Sequence, residues 1–249
     1  MTAERHRGRS HVTIAYMNGI VPMRTQPLYL LGVLASPLSF LFFITIASSG
    51  GLLLYGIAGG MVLTMVSIGT SLQTDMSHYR QDLKLQDLVV ASPVEAPVYV
   101  AGMALSELVY SLPGVVVFAI LWGLFAPVTW ITVVTVVPVL LLVWAFASGL
   151  GFTLATYFAD VRETFIFSTL VSLGLSVIPP VYYPVSKLPA SLQPFAYLSP
   201  TTYAADLMRN AFGLEPLPIG PILVDWGVLI AFTAGFLALA AFKARWREP

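Results

Sequence analysis

The sequence predicts an all-α integral membrane protein with six transmembrane helices. Hydrophobic residues make up 57% of the 249 positions and charged residues only 10%, whereas charged residues supply about 25% of an ordinary soluble domain. The mean hydropathy of +0.85 agrees with this assignment. Long apolar runs such as "VVTVVPVLLLVWAF" lack the alternation of apolar and polar residues that a transmembrane β-strand needs. The apolar stretches are therefore predicted to be helices.

Six stretches are long enough to cross a bilayer. A spanning helix needs about 20 mostly apolar residues, because each residue adds about 1.5 Å toward a hydrocarbon core about 30 Å thick. The stretches that meet this requirement are residues 28–48, 52–72, 99–125, 130–157, 164–182 and 221–242. They follow one another without an intervening soluble domain, so residues 1–249 are predicted to form a single transmembrane domain.

Residues 1–27 are predicted to form a cytoplasmic and interfacial N-terminus. Apolar side chains recur there at helical spacing between basic flanks, at Ile14, Met17, Ile20 and Val21. This pattern is typical of an amphipathic helix lying on the cytoplasmic leaflet. The alternative is an extended tail, which Gly19 and Pro22 favour.

The distribution of basic residues predicts the orientation. Ten of the twelve Lys and Arg residues precede the first stretch, follow the second, follow the fourth or follow the sixth. Only Lys187 and Arg209 fall in the remaining segments. Cytoplasmic loops retain an excess of Lys and Arg. Both termini are therefore predicted to be cytoplasmic, and residues 183–220 are predicted to be external.

The sequence predicts no catalytic residue and no metal site on this chain. It has no Cys and no Gly-Lys dipeptide, so thiolate chemistry and the nucleotide-binding phosphate loop are excluded, and its three His residues form no zinc-binding pattern. The formal net charge is zero, which gives no reason to expect nucleic acid as a partner. Glu107, near the cytoplasmic end of the third stretch, is expected to be an interfacial or hydrogen-bonded polar group.

Two polar segments have helical patterns of their own. Within the cytoplasmic loop 73–98, residues 78–91 combine charged and apolar residues, which indicates either a docking element for a cytoplasmic partner or a solvated extension of the second span. The external segment 183–220 contains "TTYAADLMRNAF", a helix predicted to be capped by Thr201 or Thr202 and ended by Gly213.

The order of these elements and two motifs resemble the membrane subunits of type-2 ATP-binding-cassette exporters. The motifs are the loop "LKLQDLVVASPVEAPVYVAGMALSELV" and the external stretch "YYPVSKLPASLQPFAYLSPTTYAADLMRNAFG". In that family the external segment is led by prolines and continues with Asn or Ser before Pro, then Tyr and Arg. Those places are held here by Pro184, Pro189, Ser199, Pro200, Tyr203 and Arg209. The resemblance covers nearly the whole chain.

The resemblance implies a permease in the plasma membrane of a prokaryote, surrounded by membrane lipid and paired with a second copy or a paralogue. It implies no cofactor on this chain, since ATP and Mg²⁺ would bind to separate cytoplasmic ATPase subunits. A cytoplasmic helix would couple the permease to these subunits through Arg80, Asp82, Leu85, Asp87, Leu88 and Val89. Short external re-entrant helices would form a gate that includes Pro189, Pro200, Tyr203, Asp206 and Arg209.

The Asp206 and Arg209 spacing of three is compatible with an ion pair, and the alternative is a solvated surface pair worth little. The positions that line the route in the family are held here by Ser67, Thr70, Ser168, Ser172 and Ser176. Each of these hydroxyls is also of the kind that bonds to its own or a neighbouring helix.

The scarcity of charge within the spans argues against small ions and favours an uncharged, amphipathic or lipid-attached cargo. The resemblance implies that an amphipathic, hydrophobic or lipid-linked cargo is moved out of the cytoplasm by alternating access. Two other interpretations stay open. An intramembrane enzyme would need a nucleophile with a base in reach or a carboxylate pair in one span. A regulatory scaffold subunit would show no stimulated ATP hydrolysis.

Overall fold

The computed structural model describes residues 13–25, 28–81, 96–158, 160–176 and 178–243, and the regular secondary structure in these ranges is helical throughout. The longer helices within them are α1 (Leu28–Ala47), α2 (Leu53–Gln81), α3 (Ala96–Phe125), α4 (Trp130–Ala155), α5 (Val161–Ser176), α6 (Pro200–Ala211) and α7 (Ile219–Lys243). In the same ranges, the segments long and apolar enough to cross a membrane are Leu53–His78, Ala101–Phe125, Trp130–Ala155 and Ile219–Phe242, and Leu34–Ala47 is a shorter apolar helix. The prediction of an all-α membrane protein is confirmed.

Most helix boundaries lie close to the predicted ones, but the fifth stretch was predicted to continue too far. We predicted a helix over 164–182, whereas α5 is described as far as Ser176 and residues 178–184 are irregular. Pro179 and Pro180 explain the difference. A proline has no N–H to donate, and it disfavours helical geometry in the residue before it.

The N-terminal segment is helical and packs on α3. A π-helical turn at Tyr16–Ile20 continues as an α-helix over Val21–Thr25. A Cβ atom added at Gly19 would lie 3.2 Å from the Ser106 carbonyl oxygen. The predicted helix is therefore confirmed for residues 13–25, and the extended tail was the wrong alternative. Its position on a leaflet stays a prediction.

Helix α2 is the centre of the bundle, because α1, α3, α4, α5 and α6 all pack against it. The close contacts occur at glycines. A Cβ atom at Gly60 would lie 2.2 Å from the Phe118 ring of α3, and one at Gly69 would lie 2.5 Å from Ala147 Cβ of α4. Because glycine has no side chain, neighbouring helices approach the α2 backbone closely at these positions.

Helix α6 lies at the end of the bundle where α2 begins, α3 ends and α4 begins, here called the α6 end. The Thr132 hydroxyl at the start of α4 donates to the Ala211 carbonyl oxygen over 3.1 Å. The Trp122 ring near the end of α3 stacks on Phe212, with 3.5 Å between ring centroids. The opposite end of the bundle contains the last turn of α2 and the start of α5.

The predicted coupling element falls mainly outside the described residues. Arg80 belongs to the last turn of α2. The other predicted coupling residues, Asp82, Leu85, Asp87, Leu88 and Val89, lie in the range 82–95, which the structure does not describe.

Candidate functional site

The N-cap of α6 lies two residues before Thr201, the first of the two predicted caps. Ser199 is the N-cap residue in extended geometry and Pro200 is the first helical residue, a position that suits the fixed φ of proline. The prediction that Thr201 or Thr202 caps the helix was wrong. Their hydroxyls instead donate to the carbonyl oxygens of Leu175 and Ala196 respectively.

Helix α6 is ended by the predicted glycine, which follows the C-cap residue Phe212. Gly213 has a φ of +70°, which L-residues with side chains rarely adopt. The Gly213 N–H donates to the Asn210 carbonyl oxygen over 3.0 Å, and the Leu214 N–H donates to that of Arg209 over 2.9 Å. These two bonds form a Schellman motif. The prediction that Gly213 ends the helix is confirmed.

One face of α6 is part of the main hydrophobic core. Ala204, Ala205, Leu207 and Met208 are buried there, together with residues of α2, α4 and α7. A helix packed in this way closes the α6 end of the bundle with apolar side chains.

Arg209 is buried, with 1% of its side chain exposed. Its Nη1 atom donates to the carbonyl oxygens of Pro180 over 2.9 Å and Tyr183 over 3.1 Å. Its Nη2 atom donates to the Asp206 carboxylate. A Glu215 carboxylate oxygen lies 3.0 Å from Nε, an ion-pair contact without hydrogen-bond geometry. The alternative of a solvated surface pair was therefore wrong.

Burial and the charge of Arg209 act in opposite directions on the pKa of Asp206. Burial raises the pKa of Asp206 above its ordinary value, and the neighbouring Arg209 guanidinium opposes this rise. Arg209 thus joins the irregular stretch after α5, the helix α6 and the loop before α7. We call this arrangement the Arg209 cluster: Pro180, Tyr183, Asp206, Arg209 and Glu215.

The other predicted gate residues lie on α6 and in the segment before it. The Tyr203 hydroxyl donates to the Tyr197 carbonyl oxygen over 2.9 Å, and the two rings are 5.7 Å apart. Pro200 is buried at the start of α6. Pro189 is exposed in the loop before it. The structure therefore brings Asp206 and Arg209 into contact but leaves Pro189 at the surface.

A second polar site is a cavity of about 310 Å³ between α1, α2 and α5. Four of the five residues that the resemblance implied as pathway-lining meet there: Ser67, Thr70, Ser168 and Ser172. The Ser168 hydroxyl donates to the Thr70 carbonyl oxygen over 2.9 Å, and the hydroxyls of Ser67 and Ser172 are 3.5 Å apart. Ser176 lies at the last described position of α5, and its side chain is outside the described part.

Sequence reasoning missed several residues of this lining, of which Asp75 is chemically the most important. The other polar ones are Ser36, Ser71, Thr74 and Thr169, and the apolar ones are Phe165 and Leu173. Positions 67, 71 and 75 are spaced by four and therefore share one face of α2. This spacing is readable from the sequence. The predicted second span ends at residue 72, however, which places Asp75 in the following loop.

Behind the cavity, Asp75 meets a carboxyl group of α3. Glu107 is buried, with 3% of it exposed, and its carboxyl group lies next to that of Asp75. The Ser71 hydroxyl lies 2.8 Å from Glu107 Oε2. Glu107 is thus a hydrogen-bonded polar group, as expected, and it is not at a surface. Within the described ranges, no three His, Asp or Glu side chains are grouped to hold a metal ion.

A family model described as ABC-2 type transporter matches residues 13–212. This range contains the N-terminal helical segment, α1 to α5 and the whole of α6, and therefore both polar sites except Glu215. No curated protein matches the chain.

Proposed function

Since the chain belongs to the ABC-2 type transporter family, we propose that it is the permease subunit of an ATP-driven exporter whose ATP is hydrolysed by separate ATPase subunits. Its cargo is amphipathic, hydrophobic or lipid-linked. We further propose that α1 to α5 and α7 form six spans in a plasma membrane with both termini cytoplasmic. Two copies, or one copy and a paralogue, complete the pathway.

The observation that carries this proposal is the placement of the two polar sites along α2. The Tyr55 hydroxyl, near the start of α2, lies 3.5 Å from the Leu214 carbonyl oxygen just after α6. Asp75 lines the cavity twenty residues later, which corresponds to about 30 Å along a helix. A polar cavity in one half of the bundle and a packed helix at the other end are the two parts that alternating access needs.

The Arg209 cluster gives the α6 end the character of a gate with two discrete states. Arg209 donates to the carbonyl oxygens of Pro180 and Tyr183, which precede α6 in the chain. It also contacts the carboxylates of Asp206 on α6 and Glu215 after α6. Displacing α6 breaks several of these charge-assisted contacts at once, so intermediate positions are costly. Opening is then an all-or-none step that needs an energy input, which ATP hydrolysis would supply.

The connection between the ATPase subunits and this gate would run through α2. The helix has no proline between Leu53 and Gln81, and its last turn leads directly into the predicted coupling residues. A displacement of that end is therefore passed along a continuous helix toward the α6 end. The coupling role of residues 80–91 is part of the proposal.

The proposal is tested by purifying the chain with and without an ATPase subunit from the same source. The rigorously purified chain should hydrolyse no ATP, whereas the reconstituted pair should hydrolyse it and move a hydrophobic fluorescent probe in proteoliposomes. Hydrolysis by the chain alone would contradict the permease assignment. A pair that binds but never moves any probe would favour the scaffold alternative.

Leu88→Asp tests the coupling element separately. An apolar anchor contributes about 1.5 to 3 kcal/mol when buried, so a carboxylate there should weaken docking by more than about tenfold. We expect the variant to elute from a sizing column as the wild type does, but to lose the ATPase subunit or its stimulated turnover. Full partner binding together with full transport would show that this segment does not couple the subunits.

A further inference from the structure

Several hydroxyls that line the cavity between α1, α2 and α5 donate their protons to backbone carbonyl oxygens. The hydroxyls of Thr70, Ser168 and Thr169 donate to the backbone carbonyl oxygens of Val66, Thr70 and Phe165 respectively, each over 2.9 Å. A hydroxyl has one proton and two lone pairs. Because these protons are already used, the oxygens offer lone pairs to a ligand. A ligand rich in N–H or O–H donors fits such a lining.

Asp75 adds a carboxyl group to the same lining. This group lies next to the carboxyl group of Glu107. Two adjacent carboxylates repel each other unless a proton or a cation lies between them. The titratable neighbours of Asp75 in the described part are Glu107 from α3 and His78, three residues further along α2. The described side chains that line the cavity include no basic group.

The size of the cavity suits a head group and not a whole ligand. Its volume of about 310 Å³ is at the lower limit of small-molecule pockets, which range over about 300–1,000 Å³. Phe165 and Leu173 form part of its rim. Phe165 is 61% exposed, and Leu173 is 45% exposed. The apolar remainder of an amphipathic molecule can lie along this surface of α5.

We propose that this cavity binds the protonated amine head group of an amphipathic cargo, with Asp75 as its charge partner and the surrounding hydroxyl oxygens as acceptors. An ammonium group brings three N–H donors and one positive charge, which match the lining in both respects. Charge in this part of a bilayer is costly unless it is paired, so the site favours a cation that satisfies the carboxyl pair. This inference rests on the proposed function and narrows its cargo to cationic amphiphiles.

A matched pair of probes tests the proposal. One is dansylated diaminodecane, which carries a protonated amine. The other is its N-acetyl derivative, which has the same chain without the charge. Binding of each to the purified full-length chain is followed by dansyl fluorescence, which requires no ATPase subunit. The wild type should bind the amine at least about tenfold more tightly than the acetylated probe, as a charge-assisted hydrogen bond implies.

Three variants locate the effect. Asp75→Asn should weaken amine binding and leave binding of the acetylated probe unchanged. Since Glu107 can take over the negative charge in that variant, the double variant Asp75→Asn with Glu107→Gln should abolish the preference for the amine. Glu163→Gln is the matched control, because this exposed carboxylate of α5 lies outside the cavity, and its preference should equal that of the wild type. Elution from a sizing column checks that each variant is folded.

Equal binding of the two probes by the wild type, or an unchanged preference in the folded double variant, would overturn the inference. Failure to bind either probe would also overturn it. None of these results touches the proposed function, which depends on ATPase association and on transport of uncharged probes. Conversely, loss of ATP-driven transport would refute the proposed function and leave the amine preference to be judged by binding alone.

Discussion

Arg209→Ala should destabilise the protein strongly although the residue lies outside the predicted spans. The substitution removes the only guanidinium of the Arg209 cluster and leaves the carbonyl oxygens of Pro180 and Tyr183 without this donor. It also leaves the Asp206 carboxylate, whose side chain is only 14% exposed, without its cation. We therefore expect the gate to leak as well as the fold to weaken.

The magnitude follows from burial. Removing one partner of a buried ion pair costs about 3 to 5 kcal/mol. We expect a value near the lower limit, about 3 kcal/mol, because the side chain of Glu215 is 34% exposed and can be solvated when Arg209 is gone. The double variant Asp206→Asn with Arg209→Ala should recover part of this loss, since it no longer buries an unpaired carboxylate.

The effect should depend on pH. Burial already raises the pKa of Asp206, and loss of the opposing Arg209 charge raises it further. When the pKa of a carboxyl group is higher in the folded than in the unfolded state, the protein loses stability as the pH rises from the ordinary pKa through the raised one. The deficit of Arg209→Ala relative to the wild type should therefore be larger at pH 8 than at pH 5.

Unfolding by SDS titration in mixed micelles, followed by Trp fluorescence, measures these differences. Probe leakage from proteoliposomes without ATP measures the gate. A deficit below about 0.5 kcal/mol, as is usual for surface substitutions, would refute the argument that Arg209 is a buried anchor. So would a double variant no more stable than Arg209→Ala at pH 8.

Two further predictions concern topology and packing. Because the chain has no Cys, a single introduced Cys can be labelled without background. Ser191→Cys should react with an impermeant thiol reagent in intact cells, whereas Glu163→Cys, at an exposed position, should react only after permeabilisation. The reverse pattern would show that the orientation is opposite to the predicted one. Gly60→Ala should cost about 1 to 3 kcal/mol, because its Cβ would lie 2.2 Å from the buried Phe118 ring, whereas Gly235→Ala, where a Cβ meets nothing within 4 Å, should be close to neutral in the same SDS titration.

The apolar stretches were predictable because hydrophobic length is a local property. The starts and ends of α1, α3, α4 and α7 lie within three residues of the predicted boundaries. The start of α6 was missed because Pro200 determines it, whereas we looked for a hydroxyl cap. Similarly, the run to Tyr182 looked apolar enough to span, but Pro179 and Pro180 end the helix through their missing N–H groups.

The candidate sites were harder to predict because they depend on contacts between distant segments. The local spacing of Asp206 and Arg209 indicated a possible pair, but nothing in the sequence indicates that the carbonyl oxygens of Pro180 and Tyr183 point at the same guanidinium. The contact between Asp75 and Glu107 joins two residues that are more than thirty positions apart and lie on different helices. The spacing of polar residues along α2 is visible in the sequence, but the predicted second span ends too early to include Asp75.

The central position of α2 has a consequence for how the protein enters the membrane during synthesis. Among the described candidate spans, α2 is the least apolar and yet the most buried, with 78% of its most apolar window enclosed. Its side chains Gln73 and Ser77 are fully buried, and the Ser77 hydroxyl donates to the Thr164 hydroxyl of α5 over 3.1 Å. Helix α2 is synthesised before α3, α4 and α5. We therefore expect its polar side chains to reach their final contacts only after these later helices have been synthesised.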